Sequence, residues 1–336
     1  MFQRSSRRFL AALFACSVGG AALWAIDTRA AESDADGPTT VEDARPYPEY
    51  RAPAFASGRP TLAFLAAGDT GWPGPMLDSV ATAMDRVGSE LPFSFVCLLG
   101  DNFYRNGVRS EVDGLWRTVF EDEFRGPHLC VPFHCALGNH DHNGNVQAQV
   151  EYSTRSTRWN MPGQYYTFVE PAGGDREAQF FVLDTEELRR DDGASAEQRL
   201  WLEDKLSRST ARWKIVMGHH PARSNGVHGS TSALRKSLEP LFERYGVALY
   251  LSGHDHDLEL LETGRGYLQV VSGAGSKPRS MRWGDDTLFA SAAPGFVWVG
   301  IEKDELWLVF VDAARGPVFS RCFERPELVA CLTGGR

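Results

Sequence analysis

The sequence predicts an α/β protein in which two mixed β-sheets pack as a layered sandwich flanked by helices, all in one domain. Three observations lead to this prediction. Hydrophobic runs that stop on Gly followed by a polar residue occur five times, segments with helix-period apolar positions alternate with these runs, and the last third of the chain consists of consecutive strand-like segments. A chain of 336 residues with 43% hydrophobic content is long enough to bury a large core.

The five runs share one form: each is hydrophobic and ends on Gly followed at once by Asp, Asn or His. They are LAFLAAGDTG (62–71), FVCLLGDNFY (95–104), CALGNHDH (135–142), KIVMGHHP (214–221) and LYLSGHDH (249–256). Each run is typical of a buried strand whose carboxyl end carries ligand-type residues into a loop, and open α/β sheets bind their ligands at that edge. Five such strand ends converging on one edge predict a site for more than one metal ion.

Helix-period patterns predict helices over residues 78–87, 111–124, 195–206 and 232–245. In the third of these, Ser195 and Gln198 have the spacing of a capping box. The segments GFVWVGIE, ELWLVFVDA and GPVFSRCF near the end of the chain predict strands joined by turns, without a helix between them.

The ends of the chain differ in composition from the rest. Residues 1–31 contain arginines before an apolar run and then Thr28-Arg29-Ala30, a pattern that indicates an export signal, by a twin-arginine or an ordinary secretory route. Residues 32–59 predict a linker or N-terminal arm, residues 60–326 the domain, and residues 327–336 a tail. No interior stretch is apolar and long enough to span a bilayer. We therefore expect a periplasmic or secreted protein without stable membrane insertion.

The charge balance and the cysteine positions indicate which ligands and which disulfides to expect. The chain carries 44 acidic against 35 basic residues, which argues against nucleic acid as a ligand because phosphate backbones are bound by basic surfaces. Cys97 and Cys135 lie inside strand-like runs and are expected to be small buried residues. Cys322 and Cys331 could form a disulfide in an oxidising compartment, and the sequence leaves that pairing open.

Six residues at the ends of the five runs supply carboxylates, one amide oxygen and imidazoles. They are Asp69, Asp101, Asn139, His219, His254 and His256. This donor set suits borderline transition metals better than magnesium or calcium. The pattern resembles the binuclear metallophosphoesterase superfamily, in which one aspartate of the second motif bridges two ions. Here that residue would be Asp101.

One departure makes the resemblance more specific. Most members of that superfamily have Asp-x-His at the first motif, whereas this chain has Asp69-Thr70-Gly71. Tyr104, three residues after Asp101, can replace the missing imidazole with a phenolate, which favours ferric iron. This combination is similar to the purple acid phosphatases, most of all to the small tartrate-resistant type. The resemblance runs from about residue 61 to 325 and includes GDNFYRNGV, GNHDHNGNVQAQVEYS, LDT, GHHP, GHDHDLELLE and VSGAG.

The resemblance implies a metal-dependent acid phosphatase. Ferric iron would be bound by Asp69, Asp101, Tyr104 and His256. A divalent ion (Fe²⁺, Zn²⁺ or Mn²⁺) would be bound by Asp101, Asn139, His219 and His254. A hydroxide coordinated to the ions would attack a phosphate monoester, either a small molecule or a phosphorylated protein.

The resemblance also implies catalytic roles for His140 and His228, which in protonated form would contact the phosphoryl group or pass a proton to the leaving group. Asp141 would orient His140, or it would be a solvated loop carboxylate.

Several alternatives stay open. The protein could be a phosphodiesterase of the same superfamily, or an exported iron-binding protein without turnover. His220 could line the substrate cleft or pack in the interior, and His142 is expected to be a surface or loop residue. Lys277, Arg279 and Arg282 are expected in a solvated loop, with contact to an extended phosphorylated substrate as the alternative.

Overall fold

Two seven-stranded sheets form the centre of the fold in a computed structural model that describes residues 39–190 and 192–325. The strands of these residues are β1 (Val41–Glu42), β2 (Leu62–Ala67), β3 (Phe95–Leu99), β4 (Phe133–Ala136), β5 (Trp159–Asn160), β6 (Tyr166–Pro171), β7 (Glu177–Val182), β8 (Trp213–Met217), β9 (Leu249–Ser252), β10 (Leu258–Glu262), β11 (Leu268–Ser272), β12 (Met281–Arg282), β13 (Thr287–Ser291), β14 (Gly295–Glu302), β15 (Glu305–Asp312) and β16 (Gly316–Glu324).

Helices and short helical turns connect the strands. The α-helices are α1 (Pro75–Glu90), α2 (Val146–Tyr152), α3 (Thr185–Leu188), α4 (Gly193–Arg208) and α5 (Ser232–Tyr245). Short 3-10 turns lie at Pro127–Leu129 and Asp141–Asn143, and a π-helical segment lies at Trp116–Glu121. None of the helices in the described part of the chain is both long and apolar enough to cross a bilayer.

Both sheets are mixed, as the sequence predicts. The first has the order β16-β15-β14-β2-β3-β4-β5, and the second has the order β13-β10-β11-β9-β8-β7-β6. β2, β3 and β4 are parallel neighbours in the first sheet, and β8 and β9 are parallel neighbours in the second. The prediction of a layered sandwich of two mixed sheets flanked by helices is confirmed.

The core lies between the two sheets and continues beneath the helices. The ring of Phe64 on β2 meets Phe180 on β7 edge to face at 5.2 Å between centroids. A second apolar cluster on the outer face of the second sheet joins Val216 and Tyr250 to Leu202 of α4 and Phe242 of α5. Because both faces of the parallel strands are covered, the strands are continuously hydrophobic rather than alternating.

Two helix predictions are wrong in detail. Residues 111–124 form only a π-helical segment at Trp116–Glu121, with turns before and after it. Helix α4 begins two residues before the predicted start, and its N-cap is Asp192, whose side chain accepts a hydrogen bond from the Ser195 amide. Gln198 instead hydrogen-bonds the backbone of Asp184, so the predicted capping box does not form.

Residues 39–59 lie along the domain as an arm. β1 pairs in parallel with β12, the Tyr47 ring packs against Trp283, and Phe55 is buried with 7% of its surface exposed. The predicted export signal and tail, and Cys331 of the postulated disulfide, lie outside the described residues.

Candidate metal centre

The carboxyl ends of five strands meet where the two sheets face each other. The first sheet contributes the loops after β2, β3 and β4, and the second sheet those after β8 and β9. The site therefore lies between two sheets rather than along the edge of one. Hydrogen bonds cross the gap between the sheets, since Gly68 N donates to Ser272 O over 2.7 Å and the His219 ring nitrogen Nδ1 lies 3.0 Å from Leu99 O.

Three of the predicted ligands adopt a backbone conformation that is unusual for residues other than glycine. Asp69, Asp101 and His254 have φ angles of 58°, 52° and 70°. This left-handed region is disfavoured for most side chains and is concentrated at functional sites. Each of the three residues follows a glycine at a strand end, so the chain reverses sharply there and the side chain turns into the gap between the sheets.

Gly71 lies directly against the loop that follows β3. A Cβ atom at position 71 would be 2.5 Å from Phe103 N and 2.7 Å from Asp101 O. The two loops also exchange backbone hydrogen bonds, from Gly71 N to Asp101 O (3.0 Å) and from Tyr104 N to Gly71 O (3.1 Å). A side chain at position 71 is therefore excluded by the same contact that brings Tyr104 to the centre.

The first group of predicted ligands surrounds the Tyr104 hydroxyl. This oxygen lies 2.8 Å from Asp69 Oδ1 and 3.1 Å from His256 Nε2, and His256 Nε2 lies 3.3 Å from the same carboxylate oxygen. Asp69 is fully buried, and its other oxygen accepts the backbone N–H of His254 over 2.8 Å. The structure thus brings together an anionic oxygen, a phenol and an imidazole nitrogen.

The second group surrounds the His219 nitrogen Nε2. It lies 3.1 Å from Asn139 Oδ1, 3.2 Å from His254 Nδ1 and 3.4 Å from Asp101 Oδ2. With a single proton, the His219 nitrogen Nε2 can hydrogen-bond only one of these neighbours. A cation held jointly by the four side chains satisfies them all.

In two of the imidazole rings, a backbone carbonyl determines which ring nitrogen carries the proton. His219 Nδ1 donates to Leu99 O over 3.0 Å, and His256 Nδ1 donates to Lys277 O over 2.6 Å. With the proton on Nδ1, each ring directs the lone pair of Nε2 towards the carboxylates. Such carbonyl partners are typical of metal-ligating histidines because they fix the tautomer and the ring orientation.

The electrostatics favour a cation. Burial lowers the pKa of His219, but the Asp101 carboxylate raises it more, to about 10. Burial and then the neighbouring imidazoles lower the pKa of His254 well below its ordinary value. The two fully or nearly fully buried carboxylates of Asp69 and Asp101 require positive charge nearby, because an uncompensated buried carboxylate is strongly unfavourable. Asp69, Asp101 and His219 offer ligand atoms within 4.8 Å of one another.

The donor set therefore fits two adjacent metal ions. Asp69, Tyr104 and His256 form one half, and Asn139, His219 and His254 form the other. Asp101 is buried between them, and Gly138 leaves room for it, since a Cβ there would be 2.1 Å from Asp101 Oδ1. Oxygen-rich and phenol-containing donors on one side and nitrogen-rich donors on the other suit ions of different hardness.

His140 lies at the edge of this cluster. Its Nδ1 donates to Arg105 O over 2.6 Å, its Nε2 lies 3.8 Å from Asp101 Oδ2, and its ring is 4.4 Å from that of Tyr104 between centroids. The structure thus brings His140 beside the predicted ligands, with Nε2 on the side of the centre.

His228 also reaches the cluster, but in a different state from the one expected. Its ring stacks on His254 at 4.4 Å, and its Nε2 accepts a hydrogen bond from Arg279 Nη1 over 2.8 Å. Burial and then the Arg279 charge lower the pKa of His228, although Asp255 opposes the shift. The expectation of a protonated His228 does not fit this arrangement, in which Arg279 carries the positive charge.

Asp141 is fully buried, so it is not a solvated loop carboxylate. Its oxygens accept hydrogen bonds from Gly138 N (2.9 Å), Asn102 N (3.1 Å) and Gln149 Nε2 (2.9 Å). Asn102 Nδ2 also lies 3.3 Å from Asp141 Oδ2, and a role of Asp141 in orienting His140 stays a prediction. Asp141 thus links the loops that carry Asp101 and Asn139.

Comparison with known proteins agrees with this geometry. Residues 62–258 match the calcineurin-like phosphoesterase family. Tartrate-resistant acid phosphatase type 5 of Mus musculus is 34% identical over 303 residues, covering 79% of this chain and 91% of the mouse protein. Purple acid phosphatase 4 of Arabidopsis thaliana is 33% identical over 280 residues, covering 76% of this chain and 81% of the plant protein.

The chain belongs to the calcineurin-like phosphoesterases, in their purple acid phosphatase group.

Solved structures of lower identity share the phosphoesterase fold. Purple acid phosphatase PPD1 from yellow lupin seeds superposes with a TM-score of 0.62 at 18% identity, covering 81% of this chain and 55% of that one. GAP50, described as the anchor in the inner membrane complex of Plasmodium, superposes with a TM-score of 0.73 at 23% identity, covering 81% of this chain and 94% of that one.

Two polar contacts of this phosphoesterase site were not predicted from the sequence. The Thr185 hydroxyl accepts the backbone N–H groups of His219 (3.2 Å) and His220 (2.9 Å) and lies 2.9 Å from His220 Nδ1. His220 is buried, so it packs in the interior rather than lining the cleft. The only sequence signal for Thr185 was its place in the LDT motif, to which no role was assigned.

The second contact joins His142 to Asp184. His142 Nε2 lies 2.8 Å from Asp184 Oδ2, and the Asp184 carboxylate is fully buried. Burial lowers the pKa of His142, but Asp184 raises it above its ordinary value. His142 lies in the turn Asp141–Asn143, which agrees with the expectation of a surface or loop residue, and its half-buried side chain is a partner of the segment that carries Thr185.

Proposed function

We propose that this protein is an acid phosphatase that hydrolyses phosphate monoesters at a binuclear metal centre. The observation that carries the proposal is the position of the Tyr104 hydroxyl, 2.8 Å from Asp69 Oδ1 and 3.1 Å from His256 Nε2, against a glycine that excludes any side chain. A phenolate at this position is a hard anionic donor and favours a trivalent ion.

The residues assigned to the two ions follow the two halves of the cluster. Ferric iron would be held by Asp69, Asp101, Tyr104 and His256. Fe²⁺, Zn²⁺ or Mn²⁺ would be held by Asp101, Asn139, His219 and His254. When bound, the two ions would supply positive charge for the phosphoryl oxygens and lower the pKa of water.

The chain's own residues would position the ester and move its proton. His140 keeps one proton on Nδ1 through Arg105 O, so its Nε2 can pass a proton to the leaving oxygen. The Arg279 guanidinium would attract the phosphoryl oxygens beside His228. Water adds to phosphorus, the ester P–O bond breaks, and the products are an alcohol and orthophosphate.

A phosphodiesterase of the same family is the second candidate, because the same donor set can bind a diester. Rates on 4-nitrophenyl phosphate and bis(4-nitrophenyl) phosphate would separate the two. We expect the monoester to be strongly preferred at acidic pH, and the reverse preference would favour the diesterase. A protein that binds iron but hydrolyses neither ester would be the non-catalytic alternative.

The substrate and the location of the protein belong to the same proposal. We expect a small phosphate monoester or a phosphorylated protein outside the cytoplasm, with export directed by residues 1–31. The excess of acidic over basic residues supports a substrate other than nucleic acid.

The decisive experiment measures colour and iron in the purified protein. We expect one ferric ion per chain and a visible absorption band from a ferric phenolate. Tyr104→Phe should lose the band while the ring remains packed 4.4 Å from His140. A colourless, iron-free wild-type protein with full phosphatase activity would refute the ferric assignment.

A further inference from the structure

The segment 276–282 lies between the metal centre and the N-terminal arm. On one side, Lys277 O accepts the His256 Nδ1 hydrogen over 2.6 Å, and Arg279 N donates to His256 O over 2.8 Å. The Ser276 hydroxyl bonds Asp69 O. Three residues of this segment therefore contact the backbone or the side chain of two predicted iron ligands, Asp69 and His256.

The same segment places two cations beside the centre. Arg279 Nη1 lies 2.8 Å from His228 Nε2, and Lys277 Nζ lies 5.0 Å from the centre of the Trp72 ring. Trp72 is in turn 6.0 Å from the Tyr104 ring. Both side chains are cations that lie beside the predicted ligands, in a chain whose formal net charge is −9.

On its other side, the segment is held by the arm. Among the described residues, β12 has β1 as its strand partner. Met281 N donates to Thr40 O over 3.0 Å, and Trp283 N donates to Glu42 O over 2.8 Å. Without the arm, both backbone N–H groups would lose these acceptors.

Side chains strengthen this attachment. Tyr47 packs against Trp283 and meets Phe289 edge to face at 4.9 Å, and Val41 packs in the same small cluster. At the surface, Arg282 pairs with Glu42 over 2.8 Å, and Arg45 pairs with Asp285 over 2.8 Å. These pairs tie the arm to both ends of the turn that follows β12.

We propose that residues 39–47 are positioning residues that hold the segment 276–282, with Lys277 and Arg279, in place to bind the phosphate group at the metal centre. The inference rests on the proposed function. Releasing the arm frees β12, and the two cations then lose their fixed position relative to His228 and His256. Phosphate binding weakens more than metal binding, because the metal ligands follow their own strands and are not part of this segment, although Lys277 O and the Ser276 hydroxyl contact His256 and Asp69.

The test compares Tyr47→Ala with Tyr47→Phe in the iron-loaded protein. Tyr47→Ala should raise KM for 4-nitrophenyl phosphate, and the dissociation constant for inorganic phosphate, about fivefold, with kcat changed less than about twofold. Tyr47→Phe keeps the packed ring and should match wild type. Iron content should be the same in all three proteins.

A second comparison separates positioning from general weakening of the fold. In a Lys277→Gln, Arg279→Gln background, Tyr47→Ala should add no further increase, because the groups that it positions are gone. An increase that persists there, or an unchanged KM and phosphate affinity in Tyr47→Ala, would overturn the proposal. If Tyr47→Ala does not fold, the exposed pair Glu42→Gln, Arg45→Gln should produce a smaller increase of the same kind, and no increase would overturn the proposal.

The two proposals fail differently. A wild-type protein that hydrolyses no phosphate ester would refute the proposed function, while its affinity for inorganic phosphate would still report on the arm. If the wild type is active but no arm variant changes the affinity for inorganic phosphate, only the proposal about the arm is refuted.

Discussion

The amide nitrogen of Tyr104 donates to the carbonyl oxygen of Gly71 over 3.1 Å, so the tyrosine backbone is bonded to the position from which a side chain is missing. A missing Cβ and a supplied phenol are thus two results of one close approach between the loops after β2 and β3. The absence of an imidazole at the first motif and the presence of a tyrosine after the second are structurally coupled.

This coupling predicts the effect of Gly71→Ala. The new methyl group would be 2.5 Å from Phe103 N, so the loop carrying Tyr104 must move. We expect a loss of about 1–3 kcal/mol of unfolding free energy, as for other overpacked sites, and reduced iron content with a weakened visible band. Iron analysis and thermal unfolding measure these effects.

Gly114→Ala is the matched control, because a Cβ at Gly114 meets nothing within 4 Å. It should retain iron and colour. Equal iron content in the two variants would contradict the steric argument.

The proposed bridging role of Asp101 predicts the effect of Asp101→Asn. The amide oxygen can still accept the His140 backbone N–H, which lies 2.9 Å from Asp101 Oδ1, so the fold should persist. Loss of the negative charge should release at least one ion and lower kcat by about 10²–10³-fold, the range typical of removing one electrostatic catalytic group. Metal analysis together with steady-state rates tests this expectation, and near-wild-type turnover would exclude the bridge.

Much of this cluster could be predicted from the sequence because every proposed ligand lies within five residues after the end of a hydrophobic strand. The residues after β2, β3, β4, β8 and β9 were identifiable by local pattern alone, and the structure brings them together. The Asp-x-Gly departure drew attention to Tyr104, whose proposed ligand role came from the resemblance to the purple acid phosphatases. The local pattern could not predict that these strand ends belong to two sheets rather than one.

The predictions that were wrong concern segments whose structure depends on contacts with residues far away in the sequence. Gln198 has the spacing of a capping box, but its side chain bonds the Asp184 backbone, and Asp192 caps the helix instead. In 111–124, Trp116 and Phe120 pack against Trp159, with ring centroids 4.9 and 5.0 Å from it, and the wider π-helical segment carries both. The arm showed little periodicity, because its attachment depends on β12, about 240 residues later.

The Thr185 hydroxyl predicts a measurable effect on the second ion. Thr185→Val removes the acceptor for the backbone N–H groups of His219 and His220 while the volume is nearly unchanged. We expect the affinity for the divalent ion or kcat to fall about 10–100-fold, as for other groups that support metal ligands. Thr185→Ser keeps the hydroxyl and should retain most activity. Equal metal affinity in the two variants would show that the hydroxyl is dispensable.

The His142–Asp184 pair predicts a pH dependence of stability. Burial opposes protonation of His142, but Asp184 raises its folded-state pKa above the ordinary value of 6.5. The pair therefore stabilises the protein fully below pH 6.5, and this contribution is lost as the pH rises through the folded-state pKa. His142→Gln should lower the unfolding free energy by about 1–2 kcal/mol at pH 5.5 and by less at pH 9, in the range of hydrogen bonds to charged groups. Denaturant unfolding at both pH values provides the measurement, with the exposed His128→Gln as control. A stability difference between wild type and His142→Gln that grows with pH would show the opposite sign and exclude a charged His142 in the folded protein.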